Sequence, residues 1–239
     1  GGGISIGGNS ILTAKYCDLS ANQSTQYGGA LNCSGSEANL ASVSLVDNYS
    51  LVGGGIHCFD DALVNLTNSI MSGNTSDELH ISENGSSDNT INVVYTAIDT
   101  TNSSIITNDN GVINWGAGNI NYKSLFVDPE NGEFNLLASS PCINSGHPDS
   151  TDSDGSRADL GAFPYPNSYA GPDWYVSVDG DDISGTGELS NPFASIQAGI
   201  NFANNGDSVA VGPGTYFENL NFRGRAITVR GSGGSQNTV

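Results

Sequence analysis

A chain of 239 residues and 24.6 kDa is long enough for one domain of ordinary size, or two small ones, around a buried core. With 36% apolar residues it is too hydrophobic for a disordered chain, and 32 glycines beside 13% charged residues argue against a helical bundle and for many short strands joined by tight turns. Six Lys plus Arg against 25 Asp plus Glu give a formal charge of -19, which repels a nucleic-acid backbone and an anionic membrane surface alike. No apolar run reaches the roughly 18 to 20 residues that a membrane span needs, and no basic-then-apolar leader precedes the first repeat. The chain starts at Gly1, as a processed or excised form would. Cys17, Cys33, Cys58 and Cys142 contain no CxxC pair, which speaks against a zinc site.

The first elements form a repeat. GGGI ending at Ile4 recurs as GGAL ending at Leu31 and GGGI ending at Ile56, with an echo ending at Ile81, so the closing apolar residues are spaced by 27, 25 and 25. A second register repeats every 26 residues: Ala14, Leu40 and Leu66; Cys17, Val43 and Ser69; Leu19, Leu45 and Met71; Asn22, Asn48 and Asn74. A unit near 25 residues, built of short β-type runs and turn glycines, predicts a solenoid of stacked parallel strands. Helical solenoids have longer units and do not tolerate Gly-Gly-Gly in each.

Alternation assigns the faces of each rung: Ile4, Ile6, Leu31, Cys33, Ile56 and Cys58 inward, with Ser5, Asn32 and His57 outward. Cys33 and Cys58 become column neighbours, as small buried thiols or else as a disulfide or a metal pair. The asparagine column reads as stacked amides bonded along a ladder. Asp60 and Asp61 read as a turn rather than a catalytic pair. His57, His80 and His147 fall at non-equivalent positions that form no column, so no nucleophile or general base is visible and the chain is read as no enzyme. Among the N-x-S/T sequons, Asn32 at an outward position and Asn84 in a Gly-Ser-Ser turn are the better glycan acceptors.

These GGGI rungs with their asparagine ladder resemble right-handed parallel β-helix proteins of the pectate-lyase-like class. The stretch SLFVDPENGEFNLLASSPCINSG followed by DSDGSRADLGAFPY, within residues 122–166, is similar to the tail of surface proteins with a choice-of-anchor Q domain. Residues 174–222 resemble the opening of such a β-helix: a first strand, a capping helix, then a GDSVAVGPGTY rung. The helix, near 192–204, also follows from the residues, with Ser190 or Asn191 as cap, Pro192 in its first position, an apolar stripe of Phe193, Ile196, Ile200 and Ala203, and Gly206 beyond its end. The expected fold is an all-β, right-handed parallel β-helix solenoid with that one short helix. Residues 1–170 would hold the rungs and tail, and residues 171–239 the cap and first rungs.

Two acidic turns remain. Asp149, Asp152, Asp154 and Asp159 around Gly155 place oxygen ligands as a calcium loop does, although no Glu closes it, and Asp179, Asp181 and Asp182 form a second such turn. The chain order of middle, end, then beginning implies open rung edges at both ends. The reading is therefore a non-catalytic, extracellular or cell-surface structural protein. It joins itself head to tail, with Ile4 and Ile6 on the receiving edge and Phe222, Ile227 and Val229 on the donating one. The alternatives are a module that binds or cleaves a cell-surface or matrix polysaccharide in the manner of a lyase, and one block of a giant tandem adhesin.

Overall fold

The computed structural model describes residues 1–83 and 88–233, which places Asn84 outside the described residues. It forms two compact units: residues 1–124, 145–151 and 157–164 make the first, while residues 125–144, 152–156 and those from 165 onward make the second. The chain is nearly all β, with a single short α-helix among the described residues.

The first unit is a parallel β-solenoid of four full turns and the start of a fifth. Rung 1 holds β1 (Ile4–Ile6), β2 (Ile11–Lys15) and β3 (Asp18–Ser20); rung 2 holds β4 (Leu31–Ser34), β5 (Glu37–Ala41) and β6 (Ser44–Val46). Rung 3 holds β7 (Ile56–Phe59), β8 (Leu63–Thr67) and β9 (Ile70–Ser72), and rung 4 holds β10 (Asp77–Ile81), β11 (Asn89–Val94) and β12 (Ala97–Ile98). Rung 5 contributes β13 (Ser104–Ile106) and β14 (Gly111–Trp115). Like strands stack in three sheets, ordered β1-β4-β7-β10-β13, β14-β11-β8-β5-β2 and β12-β9-β6-β3.

The register matches the columns read from the sequence. Ala14 pairs with Leu40, Leu40 with Leu66, Leu19 with Leu45 and Leu45 with Met71. Inward residues of the middle rungs are buried, and each Leu or Ile so placed contributes about 1.5–3 kcal/mol. One spacing differs from expectation: Ile56 pairs with Leu79 and Cys58 with Ile81, so the fourth repeat is shorter by two residues. A slip of two preserves the inward face, because the side-chain period is two, and Ile81 is buried all the same.

The recurring glycines have a steric cause. Successive turns pack backbone on backbone there: a Cβ on Gly29 would run into the carbonyl of Gly54, and one on Gly54 into the carbonyl of Thr75. The third sheet is buried on both faces in rungs 2 and 3 because residues 145–151 and 157–164 return over it. Asn68 fastens that strap, its Oδ1 accepting from the His147 N–H at 2.7 Å and its carbonyl from Gly161 at 2.8 Å, while Ser44 Oγ accepts from the Ala162 N–H at 3.0 Å. Gly161, at φ 95°, lies where a Cβ would meet Ile70.

The second unit holds an antiparallel hairpin of β15 (Phe126–Asp128) and β16 (Glu133–Leu136), and a parallel sheet ordered β17 (Asp173–Val176), β18 (Ser208–Val211), β19 (Thr228–Gly231). Helix α1 spans Ile196–Phe202. Its N-cap is Ser195 rather than Ser190 or Asn191, and Glu218 adds an acceptor for the Ile196 and Gln197 N–H groups at 2.8 and 2.9 Å. Pro192 and Phe193 precede the helix, and Phe193 bridges to Val176 and packs with Trp174 and Phe202. The buried Asn201 donates to the carbonyls of Ala138 and Ser140, both at 2.9 Å, which ties the helix to the segment after β16.

Candidate functional site

The rung edges are the first feature with functional content. β1, β2 and β3 are each outermost in their sheets. Rung 1 nevertheless carries the apolar inward set of an interior rung, and Ile4, Ile6, Leu12, Cys17 and Leu19 are only partly buried against the core. Edge strands that must stay unpaired carry inward charges, prolines or bulges, and this rung has none of these on its inward positions. At the other end Trp115 occupies the interior column of Leu40, Leu66 and Val93 and is 51% exposed. In the second unit β19 is the outermost described strand. Val229 lies on it opposite Val209, Ile227 immediately precedes it, and Phe222 is exposed in the approach.

The asparagine ladder is the second feature. Asn22 Nδ2 donates to Asn48 Oδ1 at 3.0 Å and Asn48 Nδ2 to Asn74 Oδ1 at 2.8 Å, while the backbone N–H groups of Asn22 and Asn48 donate to the same two acceptors at 3.0 Å. The last amide, of Asn74, donates to Glu78 at 2.5 Å, and Ser103 Oγ reaches the other carboxylate oxygen at 2.9 Å. Glu78 is fully buried, and that burial outweighs the bonds from Asn74 and Ser103 and, with the nearby Asp99, raises its pKa to about 7. A further ladder, unread in the sequence, runs along the outer face of the second sheet: Asn114 donates to Asn92, Asn92 to Asn65 and Asn65 to Asn39, at 2.7–2.8 Å, and Asn39 donates to Glu37.

The outward face of the first sheet corrects the reading of the histidines. His57 and His80 do share a column, following Ser5 and Asn32, because the short fourth repeat brings them into register despite a spacing of 23 residues. Asn32 Oδ1 accepts from His57 Nδ1 at 2.8 Å, and Asp77 Oδ2 accepts from His80 Nδ1 at 2.9 Å. The rings of His57 and His80 stack at 5.8 Å, and Tyr27 covers His57 at 4.7 Å. His57 is 1% exposed, and burial together with the neighbouring His80 lowers its pKa to about 4. For Asp77, burial alone would raise the pKa, but the bonds from His80 and the Gly53 N–H hold it below the usual carboxylate range. Asn32, a glycan candidate by sequence, spends its amide on this column, donating to Ser5 Oγ at 3.3 Å.

No protein-family model, no curated protein and no solved structure matches the chain. The parallel solenoid therefore stands on its own strand register. Neither the pectate-lyase-like likeness nor the choice-of-anchor likeness gains support from a known relative.

Several carboxylates of the acidic turns accept hydrogen bonds from other residues. Asp149 and Asp159 belong to the first unit and Asp152 and Asp154 to the second. Asp149 has its side chain 92% exposed, and Asp159 is buried. Burial would raise the pKa of Asp154, but bonds from the Asn167 and Ser156 N–H groups and the Ser156 hydroxyl lower it overall. Asp181 accepts from the Ser184 hydroxyl and the Ile183 N–H, Asp182 accepts from the Ala194 and Ser195 N–H groups, and Asp179 lies in the same turn. Among the described residues no group of three or more His, Cys, Asp or Glu could hold a metal ion. Cys33 and Cys58 pair in register as free thiols, with burial raising the Cys33 pKa to about 11 and that of Cys58 higher than usual as well.

Proposed function

We propose that this chain is a non-catalytic structural β-solenoid, extracellular or at a cell surface, that joins further copies of itself head to tail by adding rung to rung. The observation that carries this reading is the apolar interior of rung 1, which continues to an outermost edge without inward charge, proline or bulge. An added strand there would gain ladder hydrogen bonds and cover partly exposed Ile4, Ile6, Leu12 and Leu19. The donating edge is β19 with its approach, through Phe222, Ile227 and Val229. The non-catalytic part is supported by the arginines. Arg157 donates to the Gly146 carbonyl, Arg223 to that of Ile143 and Arg225 to those of Asn201 and Ala203, while Arg230 pairs with Asp173, so each serves the fold. The resemblances to pectate-lyase-like and choice-of-anchor proteins fit such a surface role.

Electron microscopy and sedimentation velocity test this. Regular end-to-end particles are expected for the natural chain, with Ile4→Asp and Ile227→Asp each abolishing them and Thr13→Ala on the outer face leaving them intact. A monodisperse monomer, or assembly that survives both aspartates, would overturn the proposal. A second reading, a polysaccharide-binding face, is favoured by the exposed Tyr27 ring, which stacks on His57 of the outward column. Binding to a polysaccharide panel that disappears in Tyr27→Ala would establish it.

A further inference from the structure

We propose that Asn102 carries an N-linked glycan. The proposal rests on the extracellular or surface reading above, because Asn-x-Ser/Thr sequons are modified on exported chains. Six sequons lie among the described residues, and the fold decides between them by what each amide already holds. Asn22 Nδ2 donates to Asn48, Asn48 to Asn74, Asn74 to the Leu45 carbonyl, Asn65 to Asn39 and Asn32 to Ser5 Oγ. Every one of these bonds runs from a rung to its neighbour, across a strand spacing of about 4.8 Å into which no sugar ring fits.

Asn102 differs on each count. It lies in the turn between β12 and β13, it is exposed, and its side chain makes no hydrogen bond to a described residue. It follows Asn74 by 28 residues, in the stretch where a fourth member of the inner ladder would fall, but Glu78 has already taken the Asn74 amide and closed the series. Its flanks are pinned: Asp99 Oδ1 accepts from the Thr101 N–H at 3.0 Å, and Ser103 Oγ reaches Glu78 at 2.9 Å. Ser104, the sequon hydroxyl, is exposed at the start of β13, which is outermost in its sheet among the described residues. The amide and the hydroxyl that a transferase must reach are thus both open, on a fixed turn. The donor is a lipid-linked oligosaccharide: Asn102 Nδ2 bonds to its anomeric carbon, the bond from that carbon to the lipid phosphate breaks with its electron pair on the phosphate, and the amide proton passes to a base of the transferase.

The test is peptide mass spectrometry of the chain isolated from its source, before and after enzymatic release of N-linked sugars in heavy-oxygen water. A glycopeptide spanning Asn102 is expected, and release should leave Asn102 as labelled aspartate while Asn32 and the ladder asparagines stay unlabelled amides. In the same source, Asn102→Gln and Ser104→Ala should each remove the glycan and Ser104→Thr should keep it, with circular dichroism unchanged in all three. Protease treatment of intact cells reads the location separately. A chain cut at the surface yet unmodified at Asn102, or labelled at a ladder asparagine instead, would overturn the proposal and leave the surface reading standing. A chain protected inside the cell would overturn the surface reading and the proposal with it.

Discussion

Replacing Asn48 with alanine is expected to destabilise the first unit by about 3–5 kcal/mol, near the upper end for a single substitution. The side chain is fully buried and makes four bonds: it accepts from the backbone and side-chain nitrogens of Asn22, both at 3.0 Å, and donates to the Leu19 carbonyl at 2.7 Å and to Asn74 Oδ1 at 2.8 Å. Alanine leaves the buried Asn74 oxygen and the partly buried Asn22 and Leu19 groups without those bonds, and adds a cavity. Asn92→Ala on the outer ladder removes amide bonds of the same kind, to Asn65 and from Asn114, yet water can substitute there, so about 1 kcal/mol or less is expected. Urea unfolding of the two variants measures the contrast. Equal costs would show that the inner ladder is no more sealed from solvent than the outer one.

Raising the pH from 5 to 8 is expected to weaken the same unit by about 3 kcal/mol, through Glu78. Its folded pKa of about 7 lies above the usual 4.5, first because of burial, so the folded chain keeps the proton after the unfolded chain has released it. Below about 4.5 both states hold the proton and the full stability is present; between 4.5 and 7 stability falls, and above 7 the loss is complete. The structure offers the protonated acid a partner, because Ser103 can turn its hydroxyl to the Asp99 carbonyl at 3.2 Å and accept from the carboxyl group. Glu78→Gln mimics that state. The difference between natural and variant chains in denaturant midpoints should therefore be small at pH 5 and grow to pH 8. A pH-independent difference would mean that Glu78 is ionised throughout. The lowered pKa of Asp77 works in the opposite sense, losing stability as pH falls below the usual carboxylate range, so the optimum lies on the acidic side of neutrality.

Much of this architecture was legible in the chain. The 26-residue columns and the triple glycines follow from packing one turn upon the next, and packing repeats itself in sequence. The inner ladder was legible for the same reason. The histidine column was not, because a repeat shortened in its turn changes the spacing without changing the face, and a count from His57 by 25 lands on Ser82 instead of His80. The outer ladder lay within reach, since Asn39 and Asn65 are 26 apart, yet Asn114 follows Asn92 by only 22. The helix cap was misplaced by the pull of Ser190-Asn191-Pro192, a good helix start locally, which tertiary pairing of Phe193 with Val176 turns into a strand-like approach. The acidic turns were legible as turns, whereas the donors from further along the chain, Asn167 to Asp154 and Ala194 and Ser195 to Asp182, were not.

The two amide ladders run in opposite senses. Along the inner one each side-chain N–H points to the next higher rung and the series stops at Glu78; along the outer one each points to the next lower rung and the series stops at Glu37. A carboxylate accepts and has nothing to hand on, so it ends a sentence that an asparagine would continue. A copied rung inserted between Asn48 and Asn74 would find a donor on one side and an acceptor on the other, whereas a copy appended beyond Glu78 would not. Lengthening of the inner ladder by copied rungs is thereby stopped on the Glu78 side and left open on the side of Asn22 and rung 1, and on the outer ladder Glu37 stops it in the opposite direction.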